Sequence, residues 1–109
     1  MENLRDSTEF YGHERFYSLL IEIAQLHSRK NKNYSVDGNP LSNLKECEKI
    51  GVRPFMGVLI RLFDKWSRLI ELAKGKQDLV GESIKDTLMD NAVYSLLAII
   101  LLEEEQKTK

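Results

Sequence analysis

Cysteine is almost missing from this chain: Cys47 is the single one among 109 residues. No intrachain disulfide is available, which suits a reducing cytosol. With Leu44 and Ile50 three residues to either side, Cys47 reads as a small core hydrophobe rather than a reactive thiol. Prolines are nearly as scarce, and both Pro40 and Pro54 stand where a helix would begin. Long apolar runs are lacking too. The longest, Ala92 to Leu102 and broken by Ser95, is far shorter than the ~20 residues a membrane-spanning helix needs. It reads as a helix buried on most sides, in a core or a subunit interface. The first nine residues carry Glu2, Arg5, Asp6 and Glu9, without the apolar block of a signal peptide. No membrane partner is expected, and a cytoplasmic location fits. Nor does one sign of charge dominate, since 16 Lys and Arg face 17 Asp and Glu for a net charge of −1. Nothing pulls the whole molecule towards long nucleic acid or an anionic bilayer. Polyanion binding would have to come from a local cluster.

Strand-like alternation is also absent, whereas helical spacing is plentiful. The length suits one domain, with residues 1–6 and 106–109 expected to fray. A first helix is expected from near Thr8 to about Lys32, with Phe16, Leu20, Ile23 and His27 along one face. Asp37-Gly38 marks a turn, and Asn39-Pro40 a cap and first position for a short helix. Gly51 should stop that helix near Ile50. Pro54 opens a third helix, in which Phe55, Leu59, Leu62, Trp66, Leu69 and Ala73 recur at steps of four and three. Gly75 ends it, and Lys76 to Gly81 is a short connection that favours an antiparallel neighbour. The last helix should start at Glu82 or Ser83 and run to Glu103-Glu104-Glu105. The expected class is all-α: a compact bundle of three long helices and one short helix, suited to packing as an oligomer.

Two charged stripes stand out on the last two helices. Arg61, Lys65 and Arg68 fall in a narrow sector of the third helix, with Asp64 beside them. Glu82, Asp86 and Asp90 descend the fourth at four-residue steps, and Asp90 enters an apolar run. A carboxylate carried into an apolar helix is costly unless it meets a cation or a metal. Carboxylates on neighbouring turns suit magnesium, a hard cation that keeps waters for phosphate oxygens to replace. Arginine and lysine alongside would neutralise phosphate, and an activated water would attack a phosphoanhydride. Plainer roles weigh equally. Ser83 as a cap puts Asp86 at the third helical position, where a carboxylate satisfies backbone donors. Asp90 would serve as well in a buried pair with Lys65 or Arg68. Glu82 is a first-turn acid.

His13 and His27, fourteen residues apart, would stand ~21 Å from each other on one helix and make no joint metal site. Trp66 and Tyr94 fit core positions by spacing. Tyr34 follows Lys30, Lys32 and Asn33 at a helix end, so it either stacks on a base beside phosphate-binding lysines or anchors the loop.

The elements Lys30-Asn31-Lys32-Asn33-Tyr34, Gly51-Val52, Arg61 through Asp64-Lys65 to Arg68, and Asp86-Thr87-Leu88-Met89-Asp90 to Tyr94 resemble the nucleotide modification associated domain family of bacteria and their phages. The match runs roughly from Lys30 to Glu103. Its most specific parts are a DK-x-x-R pattern followed by DTLxD-x-A-x-Y. The chain is more distantly similar to the all-α NTP pyrophosphatases of the MazG and dimeric dUTPase type, which bind magnesium through acids on two neighbouring helices and often form dimers or tetramers. The resemblance implies that Asp86 and Asp90 match the second acidic cluster of those enzymes, and Asp64 part of the first. In the mechanism expected here, Arg61, Lys65 and Arg68 hold phosphates while Lys32, Asn33 and Tyr34 touch base or sugar. The run of glutamates typical of the first cluster is replaced here by Asp64-Lys65 and Arg68, and Asn33 and Val93 replace an Asp and an Asn. More cations and fewer carboxylates favour holding phosphate.

Three expectations follow. The first is a magnesium-dependent (d)NTP pyrophosphohydrolase-like enzyme using Asp86 and Asp90, with Asp64 as a further ligand. The second is a non-catalytic phage protein that sequesters a nucleotide or nucleotide-derived signal, as in counter-defence. The third is a helical assembly module working through the Ala92–Leu102 run and the Trp66 seam. A homo-oligomer is expected throughout.

Overall fold

The computed structural model of the chain describes residues 10–34, 41–75 and 83–107. Every regular element among them is helical: α1 (Glu14–Tyr34), α2 (Ser42–Lys45), a 3₁₀ helix (Glu46–Ile50), α3 (Pro54–Ala73) and α4 (Ile84–Lys107). The all-α class expected from the sequence holds, with three long helices and a short one. The chain divides into two compact units, Met1–Tyr34 and Ser35–Lys109.

In the first unit, α1 begins at Glu14 rather than near Thr8. Gly12 adopts φ of 115°, a backbone conformation that interrupts a right-handed helix just before its start. His13 then acts as the cap. Its ring Nδ1 accepts the Arg15 N–H at 3.0 Å, and its carbonyl accepts the Phe16 N–H at 3.0 Å. Phe10 packs on Tyr17 with ring centroids 4.8 Å apart, and the Tyr17 hydroxyl donates to the Tyr11 carbonyl. Downstream, the Asn31 side-chain amide donates to the His27 carbonyl at 3.0 Å.

The second unit is organised around α3 and α4. The Asn39-Pro40 cap, the Asp37-Gly38 turn and the Lys76 to Gly81 connection lie outside the described residues. What is described of the short helix starts at Ser42, with no side-chain cap from Leu41, and tightens into the 3₁₀ helix at Glu46. Gly51 closes it in the left-handed conformation, φ 80°, with its N–H bonded to the Glu48 carbonyl at 3.0 Å. Pro54 occupies the first turn of α3 after an extended Arg53, and Gly75, φ 87°, follows its end. α4 continues to Lys107, past the expected fraying point at Gln106.

α3 and α4 run antiparallel, as the cross-contacts show by pairing rising numbers on α4 with falling numbers before it: Lys65 meets Asp90, Arg61 meets Tyr94, and Arg53, just ahead of α3, meets Glu105. Lys45 at the end of α2 reaches the neighbouring Glu104. Val58 and Leu69 from α3 pack with Val93, Leu97, Ala98 and Leu101 from α4, and Leu41 and Leu44 close the end. Thr87 is fully buried, and its hydroxyl donates to the Ser83 carbonyl at 3.0 Å. The 3₁₀ helix approaches α3 closely at Gly57, where an added Cβ would stand 2.9 Å from the Cys47 sulfur. Cys47 is half-buried at this contact rather than enclosed in the core.

The expected apolar seam of α3 needs correction. Its buried side centres on Val58 and Leu69, and Trp66, expected in the core, is 57% exposed. Trp66 lies ~80° round the helix from Val58 at 100° per residue, too far for α4 to cover it. Leu59 and Phe63 share that exposed side, Phe63 at 69%. Tyr94 is half-buried rather than enclosed.

Candidate functional site

The α3/α4 hairpin has two unlike flanks. On one, Lys65 Nζ stands 3.0 Å from Asp90 Oδ2. Both side chains are largely withdrawn from solvent, 24% and 14% exposed. One turn along α4, the Arg61 guanidinium lies over the Tyr94 ring, 5.9 Å from its centroid. That distance suits a cation–π contact. Arg68, on the same side of α3, is half-buried, whereas Asp64 is exposed. The expected meeting of the cationic stripe with the fourth helix is therefore realised at Lys65 and Asp90. The stacking of Arg61 on Tyr94 was not foreseen, although an antiparallel register through Lys65 and Asp90 brings residues four before and four after into line.

Asp86 has a different position. The Ser83 hydroxyl accepts the Asp86 N–H at 3.0 Å, and Asp86 Oδ2 faces the Ser83 N–H at 3.4 Å. This reciprocal arrangement is a capping box, which satisfies the first orphan donors of α4. Asp86 is exposed, and the structure brings it to the helix start while Asp90 turns to Lys65. Among the described residues, no three acidic, histidine or cysteine side chains come together as a metal-binding group. One oxygen of each carboxylate is engaged, Asp86 Oδ2 at the cap and Asp90 Oδ2 with the Lys65 ammonium.

Lys32 lies exposed in the last turn of α1, in the first unit. The side chains of Asn33 and Tyr34 lie outside the described residues. At the far end of the hairpin, Arg53 donates to Glu105 at 3.1 and 2.6 Å, and this hydrogen bonding together with the Glu105 charge raises the Arg53 pKa above its ordinary value.

The opposite flank is an open groove of about 500 Å³ between Leu59, Phe63 and Trp66 on α3 and Leu88, Asn91 and Ala92 on α4. Trp66 lies ~100–140° round α3 from Lys65 and Arg61, so the apolar and cationic surfaces are separate. The groove was only half visible in the sequence, through the Trp66 seam read as core. No helix among the described residues is long and apolar enough to cross a membrane. No family model, curated protein or solved structure matches the chain.

Proposed function

We propose that this protein handles nucleotides by holding the phosphates of a nucleotide or nucleotide-derived small molecule on the cationic flank of the α3/α4 hairpin. The observation that carries the reading is the Lys65–Asp90 pair, 3.0 Å long and mostly withdrawn from solvent, with Arg61 stacked on Tyr94 beside it. An ammonium has three donors, so Lys65 can keep Asp90 and still reach a phosphate oxygen. Asp90 thus positions the lysine. Tyr94 does the same for Arg61, whose planar guanidinium suits bidentate contact with phosphate. Arg68 extends the row by one turn. This arrangement supports binding in preference to magnesium-assisted hydrolysis, because Asp86 and Asp90 are committed to Ser83 and Lys65. Sequestration of a nucleotide signal in the cytoplasm of a phage-infected bacterium is the corresponding biological role.

Thermal-shift and calorimetric titration against a panel of ribonucleotides, deoxynucleotides and cyclic dinucleotides, with and without chelator, tests this. At least one ligand should raise Tm in chelator and be recovered intact by mass spectrometry. Arg61→Ala and Lys65→Ala should each weaken it by about 10-fold or more, the value of a lost charge-assisted contact. Silence across the panel would sink the proposal. Chelator-sensitive binding with release of pyrophosphate would replace it by the pyrophosphohydrolase reading.

A further inference from the structure

We infer that Arg61 is a platform for the nucleobase, so that the cationic flank takes nucleotides in preference to bare polyphosphate or sugar phosphate. The inference rests on the nucleotide reading and adds to it which end of the ligand lies where. It starts from the partner each cation has. Lys45, Lys49, Arg53, Lys65 and Lys74 each stand 2.6–3.9 Å from a carboxylate oxygen. Arg61 differs from them. Among the described residues it makes no hydrogen bond or ion pair, and its guanidinium lies over the Tyr94 ring, 5.9 Å from the centroid.

A guanidinium is planar and weakly hydrated, with five N–H donors around its rim and none on its faces. Tyr94 takes one side of it. The side turned away from α4 is open, because Arg61 is exposed whereas Tyr94 is half-buried. Nucleobases stack on arginine planes as they do on aromatic rings. The Tyr94 ring holds the guanidinium before a ligand arrives, so less side-chain freedom is lost on binding. Lys65 sets the direction of the ligand. It follows Arg61 by one turn of α3, ~6 Å along the axis, and its ammonium is held by Asp90. A base over Arg61 therefore leaves its sugar at the rim of the guanidinium and its phosphates over Lys65 and, a turn further, Arg68. The rim donors still meet the first phosphate.

Calorimetric titration of the full chain in chelator compares ATP with inorganic tripolyphosphate, which has as many phosphates and at least as much negative charge but no base. A row that reads charge alone binds tripolyphosphate as tightly as ATP, or more tightly. With the platform, ATP should bind about 10-fold more tightly or better, the worth of one stacked base. AMP against ribose 5-phosphate changes the base alone and should differ in the same direction. Arg61→Lys keeps the charge and removes the plane at an exposed position, so far-UV circular dichroism should be unchanged. In that variant the ATP preference should collapse, with ATP losing far more affinity than tripolyphosphate. A wild type that binds tripolyphosphate as well as ATP, or ribose 5-phosphate as well as AMP, overturns the platform and leaves the phosphate row standing. So does an Arg61→Lys variant that keeps the ATP preference. If no probe binds, the row and the platform fall together.

Discussion

Asp90 sits two turns inside α4, with one carboxylate oxygen 3.0 Å from the Lys65 ammonium. A carboxylate at that depth in an apolar helix calls for a partner, and the sequence allowed a lysine, an arginine or a metal. The pair is neither fully exposed nor fully enclosed, so its worth lies between two regimes. Exposed pairs contribute ~0–1 kcal/mol, and breaking a buried one costs ~3–5 kcal/mol. Lys65→Met should therefore cost roughly 2 kcal/mol, since the methylene stem still packs while Asp90 loses its ammonium. Removing both charges, as Lys65→Met with Asp90→Leu, should cost less than the sum of the two single changes, by ~1 kcal/mol or more. Urea unfolding of all four proteins at one fixed concentration measures this. Strict additivity would show that the two side chains are neighbours without being coupled.

Helix boundaries were well marked in the sequence because proline and glycine act locally. Pro54, Gly51 and Gly75 each do what their backbone chemistry dictates, and Ser83 caps α4 through its own side chain. The start of α1 was misplaced because a histidine, a residue outside the usual capping set, closes it behind Gly12. Burial was harder to read. Spacing shows that Trp66 belongs to an apolar stripe, but it cannot say which stripe a neighbouring helix covers, and α4 covers the one through Val58 and Leu69. Close approaches between elements were not legible at all. Gly57 is an example, since glycine inside a helix is worth ~1 kcal/mol less than alanine and invites replacement. At this position an added Cβ would stand 2.9 Å from the Cys47 sulfur on the 3₁₀ helix. Gly57→Ala should therefore fail to stabilise, or destabilise outright, in the native chain. In a Cys47→Ala background the obstructing sulfur is gone, and the next contact, the Cys47 Cβ at 3.8 Å, is an ordinary one. There the same change should gain ~0.5–1 kcal/mol. A reversal of sign between the two backgrounds, read from Tm, is the expected signature; stabilisation in both would mean the helices slide apart without cost.

For the molecule as a whole, charge is balanced and much of it is spent internally. The net charge is −1, from 16 cations and 17 acids. Lys45 is held by Glu104, Arg53 by Glu105 and Lys65 by Asp90, and the first two pairs tie the end of α2 and the start of α3 to the end of α4. A long nucleic acid gains its affinity by neutralising many phosphates along a basic track. On the proposed reading, a compact polyphosphate needs two or three donors at one place, and Arg61, Lys65 and Arg68 would supply them. The two ligand classes should therefore separate in a competition experiment. Once a bound nucleotide has been found, a single-stranded oligonucleotide supplied at equal phosphate concentration should leave it in place, whereas inorganic pyrophosphate should displace it. Raising salt should weaken the nucleotide only modestly, because few counterions are released from so small a contact. An oligonucleotide that displaces the nucleotide and binds with steep salt dependence would mean that the cationic row continues into a track along the molecule, and the ligand class would then be nucleic acid.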